Sequence, residues 1–293
     1  MKEQVDAVRQ MQEYIDEHLY DTITPADLAN ASHYSPWHAY RLFTQCLGRT
    51  PWEYIRRFRL ARSALQLRDE SITVTDAAFR CGFGSVDGYR RAFHREFGCN
   101  PCQYAKKPVP VYLFTPYRAQ DTDTDGEEKQ RMEKVVKTVM IQELHKPTRK
   151  MLVRRGKAAR DYYAYCEEVG CDIWGLLLSI PDAIDEPMGL WLPERLRRPG
   201  TSEYIQGVEV APDYANVPDG FELLDLPAAD YLRFQGEPFA EDDFEDAIEE
   251  IWDVIKRYDP AAIGFAWDDI NPRIQLEPRG KRGYVELVPV KKA

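Results

Sequence analysis

Residues 34–60, YSPWHAYRLFTQCLGRTPWEYIRRFRL, and residues 77–104, AAFRCGFGSVDGYRRAFHREFGCNPCQY, carry the same residues at a constant offset of 50. Ser35 returns as Ser85, Arg41 as Arg91, Phe43 as Phe93, Gly48 as Gly98, Pro51 as Pro101 and Tyr54 as Tyr104. Six identities on one uninterrupted diagonal imply a duplicated supersecondary unit.

Helix start and stop signals say what is duplicated. Thr24-Pro25-Ala26-Asp27 supplies an N-cap, a proline at the first helical position and an acid at the third. The short helix that follows carries Leu28 and Ala29 and ends near Ser32. After a tight turn, Ser35-Pro36 opens a second helix through Tyr40, Leu42 and Phe43, stopped by Gly48. In the other copy Thr73 and Asp76 start a helix through Ala77, Ala78 and Phe79, Gly82 turns the chain, and Ser85 opens a helix to Gly98. Two short helices around a tight turn form a helix-turn-helix. Thr50-Pro51-Trp52-Glu53 reads as a full capping box that starts a connecting helix of about 17 residues, roughly 25 Å long. A rod of that kind suits two recognition helices on successive major-groove faces, about 34 Å apart. Upstream, Val8, Met11, Ile15 and Leu19 form one more apolar helical stripe.

Phe43 and Phe93 are expected in the core. Trp37, Tyr40 and Arg41 fall opposite Leu42, and an exposed Trp beside an Arg is unusual without a partner. Small helical repeats also build protein-binding solenoids, in which Trp37, Tyr40 and Phe43 would all be core.

The net charge of −10 over 293 residues argues against nucleic acid until the chain is divided. Residues 1–107 carry 15 Lys and Arg against 13 Asp and Glu, while residues 108–293 carry 24 against 36. Residues 35–68 alone hold seven arginines (Arg41, Arg49, Arg56, Arg57, Arg59, Arg62, Arg68) and one acid, Glu53. Phosphate attraction depends on the local face and not on the chain total. No apolar run approaches the ~20 residues that span a bilayer. Six cysteines and no apolar leader fit a reducing cytoplasm.

The two quoted stretches together resemble the DNA-binding domain of the AraC/XylS family of bacterial transcription regulators, in the branch typified by Rob. The paired RxFxxxxG…P…Y pattern and the Tyr-Ser-x-Trp-His opening carry the likeness over about 100 residues. The resemblance implies that Trp37, Tyr40 and Arg41 face bases in one major groove, with Arg41 the candidate for a bidentate contact to guanine. Val86, Asp87, Arg90 and Arg91 take the corresponding places in the second copy. There Gly88 weakens the helix start, and Asp87 either accepts from cytosine or caps the helix, capping being the preferred reading. Ser35, Ser85, Arg56, Arg57 and Lys106 are candidate phosphate contacts, which position without specifying sequence.

Residues 108–132, rich in proline and then polar without periodicity, read as a linker, although 109–114 is apolar enough to pack back on the first domain. Beyond it the pattern is mixed α+β and doubled. Strands are expected over 135–144, 150–155, 189–192 and 203–210 around a helix at 161–169. A second set at 221–226, 231–235, 273–277 and 283–290 surrounds a helix at 242–258. The fold class is thus all-α over 1–107 and α+β over 133–293. This second part resembles the GyrI-like effector-binding domain through GVEV, FELLDLPAADY and GYVELVPVK. That resemblance implies a pocket between two halves, walled by aromatics and holding a carboxylate. Trp174, Trp191, Tyr204, Trp267 and Tyr284 are candidate walls and Glu209, Glu277 and Glu286 candidate acids, against the plain alternatives of core tryptophans and strand-edge glutamates. Such a pocket favours an organic cation.

Cys99-Asn100-Pro101-Cys102 is formally a C-x-x-C, but Pro101 is the repeat mate of Pro51 and no thioredoxin-like context surrounds it, so no metal or cofactor is expected. The sequence is read as a cytoplasmic, double-stranded-DNA-binding regulator, an activator that recruits RNA polymerase and binds as a monomer under control of a small molecule. Rival readings are a C-terminal hydrolase using a pocket glutamate as base, and an architectural DNA protein with a partner-binding tail.

Overall fold

The structure, a computed structural model, describes residues 2–70, 72–116, 138–170, 172–240 and 243–293. The chain divides into two units, residues 1–130 and 131–293, and each is described by itself.

The first unit contains α1 (Lys2–Glu17), α2 (Pro25–Ser32), α3 (Pro36–Leu47), α4 (Pro51–Asp69), α5 (Val74–Arg80), α6 (Val86–Phe97) and α7 (Pro101–Lys106). Its helix ends are chemical. The side chains of Thr24, Ser35, Thr50, Thr73, Ser85 and Asn100 each accept a backbone N–H at the start of α2 to α7 in turn. The reciprocal capping box stands at Thr24, whose N–H donates to Asp27 at 2.8 Å. At Thr50, expected to carry the full box, only the forward half forms, with Glu53 N–H donating to the hydroxyl at 3.2 Å.

The repeat mates occupy matching places. Gly48 and Gly98 end α3 and α6 in the left-handed region at φ 66° and 70°, where a side chain is strained. Phe43 and Phe93 are fully buried, and each packs on the tyrosine of its own copy, Tyr54 at 5.3 Å and Tyr104 at 5.6 Å between ring centres. The connecting helix α4 has 19 residues, so it runs about 28 Å at 1.5 Å per residue. It is a spine rather than an amphipathic surface helix, since Tyr54, Ile55, Phe58, Leu60, Ala61, Ala64 and Leu67 bury several of its sides. Tyr54 accepts from Gln12 of α1 at 3.1 Å, and Ser63 shares a 2.9 Å hydrogen bond with Tyr89 of α6. The Arg59 guanidinium donates to the carbonyls of Leu19 and Asp21 at 2.6 Å each, so this arginine is committed to holding the turn that follows α1.

The linker expected over 108–132 does not begin at 108. Val111, Leu113 and Phe114 are buried, and the Phe114 ring meets Tyr54 at 5.1 Å and Phe58 at 6.4 Å. Apolar area returned to α4 outweighs the freedom of a loose strap. The remainder of that expected linker, 117–132, lies outside the described residues.

The second unit contains β1 (Met140–Lys146), β2 (Arg149–Arg155), α8 (Tyr162–Val169), α9 (Asp172–Leu178), β3 (Met188–Trp191) and β4 (Tyr204–Val210). It continues with β5 (Glu222–Leu226), β6 (Ala229–Gln235), α10 (Phe244–Arg257), β7 (Phe265–Trp267), β8 (Arg273–Leu276) and β9 (Val285–Lys292). The strands form one sheet in the order β1-β6-β9-β8-β3-β4-β2-β5, with β7 also paired to β9, and the recorded pairs are antiparallel. Residues 135–137 of the expected first strand lie outside the described residues. Two elements were not anticipated, α9 and β7.

Only Pro147 and Thr148 separate β1 from β2, yet these strands stand near opposite ends of the order, so the sheet must curl on itself. Its inner face is apolar and buried, with Met151, Val153, Leu190, Ile205, Tyr231, Ile274, Val285 and Leu287. Its outer face carries the helices. Leu152, Val208 and Val210 pack with Ile173, Leu176 and Leu177 of α9, and Leu232, Phe234 and Tyr284 pack with Ala247 and Ile251 of α10. Strand alternation therefore decides which side chains can reach the helices.

Candidate functional site

On α3 the buried face is Ala39, Leu42, Phe43 and Leu47. The outward face presents Trp37, 69% exposed, Tyr40, 42% exposed, and Arg41. These aromatics lie at the surface, which removes the reading in which they form the core of a solenoid. The Arg41 guanidinium carbon sits 4.8 Å from the Trp37 ring centre, one helical turn away. Such a stack holds the arginine extended at a cost in exposed apolar area that a partner would relieve.

On α6 Asp87, Arg90 and Arg91 are exposed and Val86 is half-buried. Asp87 does not cap the helix. That role belongs to the Ser85 hydroxyl, which accepts from Gly88 N–H at 3.1 Å, while Asp87 pairs with Arg90 at 3.5 Å one turn on. A Cβ on Gly88 would stand 3.1 Å from that hydroxyl, so the glycine that weakens the helix also leaves room for its cap. Ser35 caps α3 in the same way, accepting from His38 N–H at 3.4 Å. Arg56 and Lys106 are exposed. Arg57 donates from Nε to Glu96 at 2.6 Å, and its guanidinium lies 5.0 Å from the Phe114 ring centre.

In the second unit the outer face of the central strands gathers four of the eight predicted pocket residues. Glu286 on β9 is fully buried. Trp252 Nε1–H of α10 donates to it at 2.8 Å and the Tyr284 hydroxyl at 3.0 Å, and Arg273 of β8 is ion-paired to its other oxygen. Trp191, in register with both Tyr204 and Arg273, meets the Tyr204 ring at 5.1 Å and Trp252 at 6.4 Å. Gly189 makes this possible, because a Cβ there would fall 2.7 Å from Tyr204 Cζ. Burial pushes the Tyr284 and Tyr204 hydroxyls upward, so Tyr284 stays a neutral donor to the carboxylate.

The other four lie elsewhere. Glu209 sits on the opposite parity of β4 from Tyr204 and pairs with Lys146 at 3.1 Å. Glu277 follows β8 and pairs with Arg279 at 3.0 Å. Trp267 packs near the far end of α10 against Phe234 and Tyr258. Trp174 is a half-buried residue of α9 whose buried indole N–H meets no hydrogen-bond partner among the described residues. Trp252 and Arg273 were missed as site residues. Trp252 lies in the helix expected over 242–258, where nothing in its spacing separates it from the residues of the apolar face.

The first unit is thus a paired helix-turn-helix domain, with two capped recognition helices joined by a buried spine. Residues 28–107 match the family described as a helix-turn-helix domain. The regulatory protein SoxS of Salmonella typhimurium is 36% identical over 92 residues, covering 31% of this chain and 86% of that protein. The right origin-binding protein of Escherichia coli is 30% identical over 106 residues, covering 36% and 37%. A solved structure of a probable AraC family transcriptional regulator from Rhodopseudomonas palustris is 30% identical, with a TM-score of 0.34, and covers 36% of this chain and 99% of its own. The chain belongs to the AraC/XylS family of helix-turn-helix transcription regulators. It spans only about a third of the longer relatives, 31% of regulator Rv1931c of Mycobacterium tuberculosis and 37% of the right origin-binding protein.

Proposed function

We propose that residues 1–107 grip double-stranded DNA with α3 and α6 in successive major grooves, and that residues 133–293 form a GyrI-like effector domain controlling that grip. The observation that carries the first part is the outward Trp37–Arg41 stack on a helix whose opposite face is fully packed. Trp37, Tyr40 and Arg41 read bases in one groove, and Val86, Arg90 and Arg91 read the other, with Asp87 trimming the charge of Arg90. Ser35, Ser85, Arg56 and Lys106 lie along the phosphates.

The sheet order supports the effector reading. Exchanging β1 with β5, β2 with β6, β3 with β8 and β4 with β9 returns the same order reversed, as two strand-helix-strand-strand units about a pseudo-twofold axis would. The axis passes between β3 and β8, where Trp191, Tyr204, Tyr284, Glu286, Trp252 and Arg273 meet. We assign that cluster as the small-molecule site. A ligand there regulates only if it favours one of two states of the protein. In this reading the chain acts in the cytoplasm as a monomer and activates transcription by contacting RNA polymerase.

Footprinting with Arg41→Ala tests the central claim. The wild type should protect two groove segments one turn apart. The variant should lose about 1–3 kcal/mol at one base position and little on random duplex. Equal losses on specific and random DNA would remove the base-reading role of Arg41.

A further inference from the structure

We infer that Arg273 is the resident cation of the aromatic–carboxylate site, so that an external organic cation enters only by displacing it. The inference rests on the assignment of this cleft as the small-molecule site.

A protein holds an organic cation with a buried carboxylate and the faces of electron-rich rings. Here both are already engaged by a side chain of the protein. The Arg273 guanidinium carbon lies 5.2 Å from the Trp191 ring centre and 5.7 Å from that of Trp252, and its Nε is paired with Glu286. Register fixes this placement. Arg273 stands directly opposite Trp191 on β3, and its neighbour on the same face, Gln275, stands opposite Glu286 on β9. A tethered arginine competes at a high effective concentration, which no dissolved ligand meets without extra contacts.

The arginine is not sealed in. Its side chain is 34% exposed, against 0% for Glu286, so a route to solvent runs past it. The Tyr163 hydroxyl of α8 donates to Glu245 of α10 at 3.3 Å. Glu245 and Glu249 precede Trp252 by seven and three residues, which puts them on the same stripe of α10. Two carboxylates on the stripe that carries Trp252 concentrate cations on that side of α10. Arg273 is therefore the specificity-determining residue of the cleft. With it in place Glu286 is neutralised, and a cation is admitted only when its hold on the two indoles exceeds that of the arginine.

Calorimetric titration of the full chain with methylguanidinium and with benzyltrimethylammonium tests this. Arg273→Ala should bind both probes at least tenfold more tightly than wild type, and adding Glu286→Gln should abolish the gain. Arg273→Gln, close in length and uncharged, takes its place if the alanine variant lacks a cooperative melt. Equal binding by wild type and variant, weakened in both by Glu286→Gln, would overturn the displacement claim and leave the cleft assignment standing. A folded Arg273 variant that binds neither probe would overturn both.

Discussion

Arg57 Nε lies 2.6 Å from Glu96 Oε1, a charged hydrogen bond reaching from the spine helix α4 to the second recognition helix α6. Both side chains are mostly buried, at 28% and 15% exposure. Arg57→Ala should therefore cost about 1–3 kcal/mol of stability, and Glu96→Gln a similar amount, with losses in the double variant less than additive. Chemical denaturation of the four proteins measures the coupling. Arg56→Ala should behave oppositely, leaving stability intact and lowering the salt slope of DNA binding by about one.

Trp37→Ala removes a ring that the folded chain leaves in water. Stability should change by no more than about 0.5 kcal/mol. Affinity for a specific site should fall by about 1–3 kcal/mol, through both the lost contact and the loosened Arg41. Thermal melting beside DNA titration separates the two, and a large drop in melting temperature would show that Trp37 is structural.

Phe43 and Phe93 are equivalent in burial and in their tyrosine partners. Truncating either to alanine should cost about 3–5 kcal/mol. Because α4 joins both copies, each variant should unfold the helical unit in one transition. Separate transitions for the two copies would contradict a shared core.

The Glu168 carboxylate of α8 accepts backbone N–H groups of Lys157 and Ala158, the latter at 3.0 Å, and these bonds hold its pKa below the usual carboxylate value. The stabilisation is present above the unfolded value of about 4.3 and is lost as pH falls through the lower folded value. Carbon-detected titration should place the Glu168 midpoint below that of a glutamate in the unfolded chain. Glu168→Gln should make the loop at 157–158 indifferent to pH in that acid window.

The helical unit was legible because its determinants are local. Six cap residues and a pair of αL glycines each act within four residues of their position, and the copies report on one another. The Arg57 ion pair was not legible, because nothing in an arginine's neighbours says that a glutamate 39 residues later will face it. In the second unit, strand parity sorted the candidates. Tyr204 and Glu209 are five residues apart on β4, so they point to opposite faces. Spacing alone could have separated them, but not told which face carries the helices. Trp252 and Arg273 were hidden for a different reason: an amphipathic helix explains the one and a strand edge the other until register joins them. The apolar run in α9 escaped assignment because a seven-residue helix whose residues are apolar at nearly every position shows no period.

β1 hydrogen-bonds to β6, and β5 to β2, so each half of the second unit lends its opening strand to the other. Met140 finds its mate at Gln235, almost a hundred positions downstream. A ribosome must therefore pass Gln235, well beyond the middle of the unit, before its earliest strand can dock, and assembly should be slow and all-or-none. Severed at the midpoint, neither piece would keep an intact sheet; mixed together, the two pieces should complement one another.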